Sequence, residues 1–183
     1  MRHLPNLICL LRIGLIWPVV VSLHGGHYLL TLALFLLAAA SDGLDGYLAK
    51  RFNWTSPLGR VLDPLADKLL LVAVFLSAAW SGLAPWWLAA AAIARDLVIG
   101  GGALIFRLWF GPLQGRPTLL SKVNTALQIL FLVAAILHAA HGLPPREVVA
   151  ALALATLFST IASGADYVAR FTRRAWSLPP RGA

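Results

Sequence analysis

Six stretches of this chain are apolar over a length that matches the hydrocarbon core of a bilayer, and that recurrence limits the fold more than any other feature. They run from Leu7 to Leu23, Tyr28 to Ala49, Pro57 to Leu83, Pro85 to Arg107, Leu119 to His141 and Pro145 to Phe171. Of the 183 residues, 60% are hydrophobic and 12% charged, which fits an integral membrane protein. Spanning strands would alternate apolar and polar residues. The run Leu-Leu-Thr-Leu-Ala-Leu-Phe-Leu-Leu-Ala-Ala-Ala from Leu29 does not, so helices are preferred to a barrel. The expected fold is all-α, a polytopic membrane bundle of six transmembrane helices in one domain over residues 1–171. A basic, flexible cytoplasmic tail is expected over 172–183, its Pro-, Gly- and Arg-rich end suited to anionic headgroups. The first segment carries Arg12 and lacks a small-x-small cleavage site, so it reads as a retained helix and not a signal peptide. Cys9 is the single cysteine, which excludes an intramolecular disulfide and suits a small packing residue.

Orientation follows from the fifteen Lys and Arg residues. Arg2, Lys50, Arg51, Arg60, Arg107, Arg116, Lys122, Arg170, Arg173, Arg174 and Arg181 fall on one side, Arg12, Lys68 and Arg95 lie within spans, and Arg146 stands alone opposite. Both termini are therefore expected on the cytoplasmic side. Trp80, Trp86 and Trp87 then mark the outer interface, and Trp54, Trp109 and Trp176 the inner one. A formal charge of +8 suits anionic lipids or phosphorylated substrates; at this hydrophobicity no nucleic-acid partner is expected.

Against that background the acids stand out. Four of the seven, Asp42, Asp45, Asp63 and Asp67, fall within 26 residues on the cytoplasmic side. A carboxylate in a membrane span costs roughly 2.5–3.5 kcal/mol on insertion scales, so such groups are paired, metal-bound or facing a wet cavity. Asp42 and Asp45 are three apart near the end of the second helix, and Asp63 and Asp67 four apart near the start of the third, so each pair shares a helix face. The link Asn53-Trp54-Thr55-Ser56, with Ser56 and Pro57 as N-cap and first-turn residue, is a short turn that makes the two helices antiparallel neighbours. Hard carboxylate ligands favour two ions of Mg²⁺ or Mn²⁺. Gly43, Gly46 and Gly59 leave the nearby backbone bare for a large ligand, and Lys50, Arg51 and Arg60 suit the charge of a diphosphate. Two metals between carboxylates and a diphosphate form a clamp for phosphoryl transfer, so the substrate expected has a lipid tail and a diphosphate head.

The pattern Asp42-x2-Asp45-Gly46-x2-Ala49-Lys50-x8-Gly59-x3-Asp63-x3-Asp67 resembles the signature of the CDP-alcohol phosphatidyltransferase family, D-x2-D-G-x2-A-R-x8-G-x3-D-x3-D. Every separation agrees. Lys50 replaces the family Arg, which keeps the charge but loses the planar fork. The resemblance implies transfer of a phosphatidyl-type group from a CDP-linked donor to an alcohol with release of CMP. It makes Asp42, Asp45, Asp63 and Asp67 metal ligands, and Asp67 also the general base toward the acceptor hydroxyl. Gly46, Ala49, Lys50, Gly59 and Arg60 would hold the nucleotide and diphosphate of the donor. It further implies a homodimer in a bacterial inner (plasma) membrane, fed by CDP-diacylglycerol.

The stretch from Arg2 to Arg12 and the run from Asp63 to Lys68 look like the branch of that family that uses glycerol-type acceptors. Within it, Ser121 to Gln128, with Asn124 in place of a second Lys, and Arg95-Asp96 resemble the form that uses phosphatidylglycerol. Glycerol 3-phosphate remains the alternative, although a free phosphomonoester would favour an extra cation. Arg95, Arg107, Arg116, Lys122 and Asn124 are the candidate acceptor-binding residues. Adjacent residues on a helix do not face each other, so no direct Arg95–Asp96 pair is expected.

Other features have blander readings. His24, His27, His138 and His141 fall at outer helix ends with no acidic or thiol companion and suit solvated interfacial positions better than a metal site. Gly100-Gly101-Gly102 suits close helix packing, since no strand precedes it to make a nucleotide loop. A small divalent-cation transporter is the competing function. The acids occupy one interface and not the midplane, and no second Asp-rich segment suggests a repeat.

Overall fold

A computed structural model describes the chain over residues 4–52, 59–109 and 118–176, with side chains described over 9–41, 66–106, 109, 118–173 and 176. Within these residues the fold is all-α. Six helices occur, α1 Leu4–His24, α2 Tyr28–Phe52, α3 Gly59–Trp80, α4 Trp86–Trp109, α5 Leu119–His141 and α6 Arg146–Trp176. Each coincides with one of the six apolar stretches. The proposed Ser56-Pro57 cap lies outside the described residues, and α6 continues past Phe171 through the first residues of the expected tail.

Three connections close through glycine. Gly26, Gly82 and Gly142 have φ of 73°, 75° and 73°, in the left-handed region that penalises any residue with a Cβ. After α1, His27 N–H donates to Ser22 O at 2.9 Å and Gly26 N–H to Leu23 O at 3.2 Å; after α3, Leu83 N–H donates to Ala78 O and Gly82 N–H to Ala79 O. These paired bonds satisfy carbonyls left open at a helix C-terminus. At the start of α5, Thr118 Oγ1 accepts from Ser121 N–H at 3.2 Å and so acts as an N-cap.

The chain divides into two compact units, residues 1–86 with 132–146, and residues 87–131 with 147–183. In the first, α1 packs along both α2 and α3, and α2 also meets α3. Val19, Leu23, Phe35, Val74 and Phe75 are buried here, and the Ser22 and Thr31 hydroxyls meet at 2.9 Å between α1 and α2. Trp80 and Trp86 form an edge-to-face pair 6.1 Å apart across the α3–α4 turn.

In the second unit, Phe171 of α6 stacks on Phe106 of α4 at 6.2 Å and meets Tyr167 edge-on at 5.6 Å. A Cβ at Gly102 would lie 2.8 Å from the Phe171 ring, so the missing side chain sets how closely α4 approaches α6. Gly100 and Gly101 face open space. Of the glycine run, one residue is therefore a packing glycine.

The distribution of polarity suits a lipid solvent. Arg12, Thr31, Asn124, Thr156 and Ser163 are fully buried, while Trp17, Leu97, Leu119 and Phe158 are largely exposed. Among the described residues, three helices are long and apolar enough to cross a membrane, over Trp86–Phe106, Leu119–His141 and Arg146–Arg173. Gly102→Val is expected to destabilise the protein by roughly 1–3 kcal/mol through overpacking against Phe171, whereas Gly101→Ala should be about neutral. Thermal unfolding of the two variants in detergent checks the contrast.

Candidate functional site

The acid motif occupies two helices. The backbone from Asp42 through Lys50, including Asp45, Gly46 and Ala49, is part of α2, and Gly59, Arg60, Asp63 and Asp67 are part of α3. The helical backbone keeps Asp42 and Asp45 three residues apart on one helix and Asp63 and Asp67 four apart on the other. Side chains of this motif before Ala66 lie outside those described. So does the side chain of Arg107, and Arg116 lies outside the described residues altogether.

Asp67 is the motif acid whose surroundings are described. Its side chain is 39% exposed, and Arg12 of α1, itself fully buried, donates from a terminal guanidinium nitrogen to Oδ1 at 2.5 Å. Arg12 Nε also reaches Ser41 Oγ on α2 at a long 3.4 Å. Ser41 donates its own proton to Ala38 O at 2.7 Å and therefore presents only a lone pair to the guanidinium. A charge introduced by α1 is thus neutralised by the acid of α3 beside the turn of α2 that opens the motif. Sequence reasoning had assigned Arg12 to a span without a role. The signal that finds it is electrostatic: a guanidinium inside an apolar helix requires an anion within reach, and the nearest acids in sequence are the motif itself.

A second polar assembly lies in the other unit. Arg95 of α4, nine-tenths buried, donates to Asp96 Oδ1 at 2.7 Å, to Ser121 Oγ of α5 at 2.6 Å and to Ser163 Oγ of α6 at 2.7 Å. The direct pair corrects the expectation from helical spacing. Neighbouring side chains leave the helix about 100° apart, but the Arg stem is long enough to turn its head back to the next residue. Gly164 leaves room for that stem, 3.7 Å from Arg95 Cγ. One turn along α5, fully buried Asn124 accepts on Oδ1 from Thr160 Oγ1 at 2.8 Å, with Ser159 Oγ at the same distance. Arg95 Nε and Asn124 Nδ2 are buried donors without a hydrogen-bond partner. The structure thus brings two candidate acceptor residues, Arg95 and Asn124, into one seam between α4, α5 and α6. Lys122 is exposed, one position along from Ser121, and does not join it.

Carboxylates on α2 and α3 supply the hard oxygen donors that a divalent cation prefers. Among the described residues no group of three or more His, Cys, Asp or Glu gathers. His24 and His138 instead donate from Nδ1 to the backbone oxygens of Val20 and Pro144, at 2.9 and 2.8 Å.

An all-helical chain with an Asp quartet on consecutive helices and a buried guanidinium behind the last Asp has the makings of a membrane phosphotransferase. Residues 2–162 match the family model for CDP-alcohol phosphatidyltransferase, and the chain belongs to that family. It is 33% identical over 191 residues to the CDP-diacylglycerol–glycerol-3-phosphate 3-phosphatidyltransferase of Bacillus subtilis (strain 168), covering 93% of this chain and 95% of the relative. It is 31% identical over 180 residues to the cardiolipin synthase (CMP-forming) of Rattus norvegicus, covering 90% of this chain, and 38% identical over 143 residues to a glycerol-3-phosphate 3-phosphatidyltransferase of Pseudomonas fluorescens, covering 72% of this chain and 70% of the relative. The chain spans 60% of the length of the rat and human cardiolipin synthases.

The seam makes its own prediction. Asp96→Asn removes the anion beside a nine-tenths buried guanidinium and is expected to cost about 3 kcal/mol of stability. Ser163→Ala, which strands one N–H, should cost about 1–3 kcal/mol. Unfolding of both variants by denaturant in mixed micelles measures the order.

Proposed function

We propose that this chain is a metal-dependent phosphatidyltransferase that moves the phosphatidyl group of CDP-diacylglycerol to a glycerol-type alcohol and releases CMP. The observation that carries this reading is the placement of the complete acid motif on α2 and α3, with Asp67 part-exposed and its carboxylate gripped from behind by α1. The six helices cross the membrane as one domain over residues 1–171, with both termini and the acids on the cytoplasmic face of a bacterial inner membrane, and the protein works as a homodimer. Exposed apolar side chains and buried polar ones support the membrane placement.

The chemistry follows from the residue types. The acceptor hydroxyl oxygen bonds to the phosphorus that carries diacylglycerol, the bond from that phosphorus to the bridging oxygen breaks, and its electron pair leaves on CMP. Asp67 takes the hydroxyl proton. Lys50 and Arg60 neutralise donor phosphate charge, and Gly46, Ala49 and Gly59 leave space for the nucleotide. Asp42, Asp45, Asp63 and Asp67 would hold two ions of Mg²⁺ or Mn²⁺, whose contribution is to offset the charge that develops on the diphosphate.

For the acceptor we favour phosphatidylglycerol, with cardiolipin as product; glycerol 3-phosphate is the alternative. The support is at Asn124. This buried position carries an amide whose oxygen is occupied by α6 hydroxyls, and the nearby cation, Lys122, is exposed outside the seam. A phosphodiester brings one charge where a phosphomonoester brings nearly two, so the arrangement suits the diester. Arg95, Arg107, Arg116, Lys122 and Asn124 are the residues assigned to the acceptor.

Purified protein should release CMP from CDP-diacylglycerol when phosphatidylglycerol is supplied. Activity with glycerol 3-phosphate alone reverses the acceptor assignment, and no CMP with either alcohol favours cation transport. Chelation of divalent ions should abolish turnover and added Mg²⁺ or Mn²⁺ restore it. Asp67→Asn should lower kcat by about 10²–10⁴-fold, the range for loss of a general base, with donor binding largely retained.

A further inference from the structure

The contact between Arg12 and Asp67 carries a consequence that builds on the proposed transferase reaction. Arg12 is fully buried and Asp67 is 39% exposed, so the pair is asymmetric: a buried cation meets a carboxylate that is partly accessible. Charge neutralisation alone would be met by any cation near Asp67. Arg12 does more, because its second nitrogen is directed to Ser41, the residue that precedes Asp42. The Ser41 proton is committed to Ala38 O, which turns its oxygen toward Arg12 as an acceptor. Since both acid-bearing helices pack on α1, this fork is a tie between them made through the third helix.

We infer that Arg12 is a positioning residue for phosphatidyl transfer, fixing the Asp67 carboxylate in orientation and in register with the start of the acid motif on α2. The guanidinium plane suits this task because its nitrogens are held rigidly relative to one another, whereas a lysine offers a single nitrogen on a flexible stem. A displaced carboxylate would still attract the donor, but it would meet the acceptor hydroxyl badly. A misplacement near 1 Å can cost on the order of 100-fold in rate, and loss of a supporting contact around ligands costs about 10- to 100-fold.

The test compares wild type with Arg12→Lys, Arg12→Met and Ser41→Ala in CMP release, with donor affinity measured separately by CDP-diacylglycerol binding. The expected result is a kcat about 10- to 100-fold lower in Arg12→Lys and lower still in Arg12→Met, with donor affinity and the acceptor KM within about threefold of wild type. A kcat in Arg12→Lys within about threefold of wild type overturns the inference, since charge would then suffice. A parallel fall in kcat and donor affinity overturns it as well, since Arg12 would then serve binding. Should the Arg12 variants not fold, Ser41→Ala decides: lowered kcat with intact donor affinity supports the two-point hold, and unchanged kcat overturns it. Wild type that releases no CMP at all sinks the transferase reading, whereas an indifferent Arg12 sinks only the positioning role.

Discussion

A charge that leaves water for an apolar medium must take an opposite charge or a set of dipoles with it, and the described structure is organised around two such cases. Arg12 meets Asp67, and Arg95 meets Asp96 together with two serine hydroxyls. Each guanidinium joins three helices through its own contacts or those of its neighbours. Directional bonds of this kind matter more in lipid than in water, because burial of apolar surface gives helices little reason to associate there. The remaining adhesion comes from close approach, seen where Gly102 lets the Phe171 ring lie against α4.

The two arginines nevertheless serve different ends. Arg95 is held by Asp96, Ser121 and Ser163, with Gly164 leaving room for its stem, and Arg95 Nε and Asn124 Nδ2 are buried donors without a hydrogen-bond partner. Arg12 is closed off from solvent and backs a carboxylate that is not. The first arrangement leaves two buried donors without partners, and the second pairs a buried cation with a part-exposed acid.

Much of the fold could be read from residue order. Six apolar stretches became six helices, because that signal is local, whereas the turn-closing glycines at 26, 82 and 142 emerged only with their positive φ. The acid motif was equally legible as a pattern, since helical spacing alone places Asp42 with Asp45 and Asp63 with Asp67. What spacing could not supply was the third partner. The short link between α2 and α3 speaks only of those two helices, and that α1 packs against both is a choice made by interhelical packing that leaves no mark in either helix. The Arg95–Asp96 pair escaped for a related reason: rules for helix faces describe Cβ directions, whereas a long side chain delivers its charge several bonds away. Only Gly102 of the Gly100–Gly102 run packs tightly, and nothing in the run itself distinguishes it from its neighbours.

The three glycine-closed turns also bear on how such a chain enters the membrane. In the proposed orientation they are the parts that must cross to the far side, and they consist of Gly25 to His27, Ser81 to Pro85 and Gly142 to Pro145. No Lys, Arg, Asp or Glu occurs in any of them, and just past the last one Arg146 is followed by Glu147. Biogenesis would therefore carry almost no net charge through the bilayer, and the ionic groups that the chemistry requires would never leave the side on which they are made.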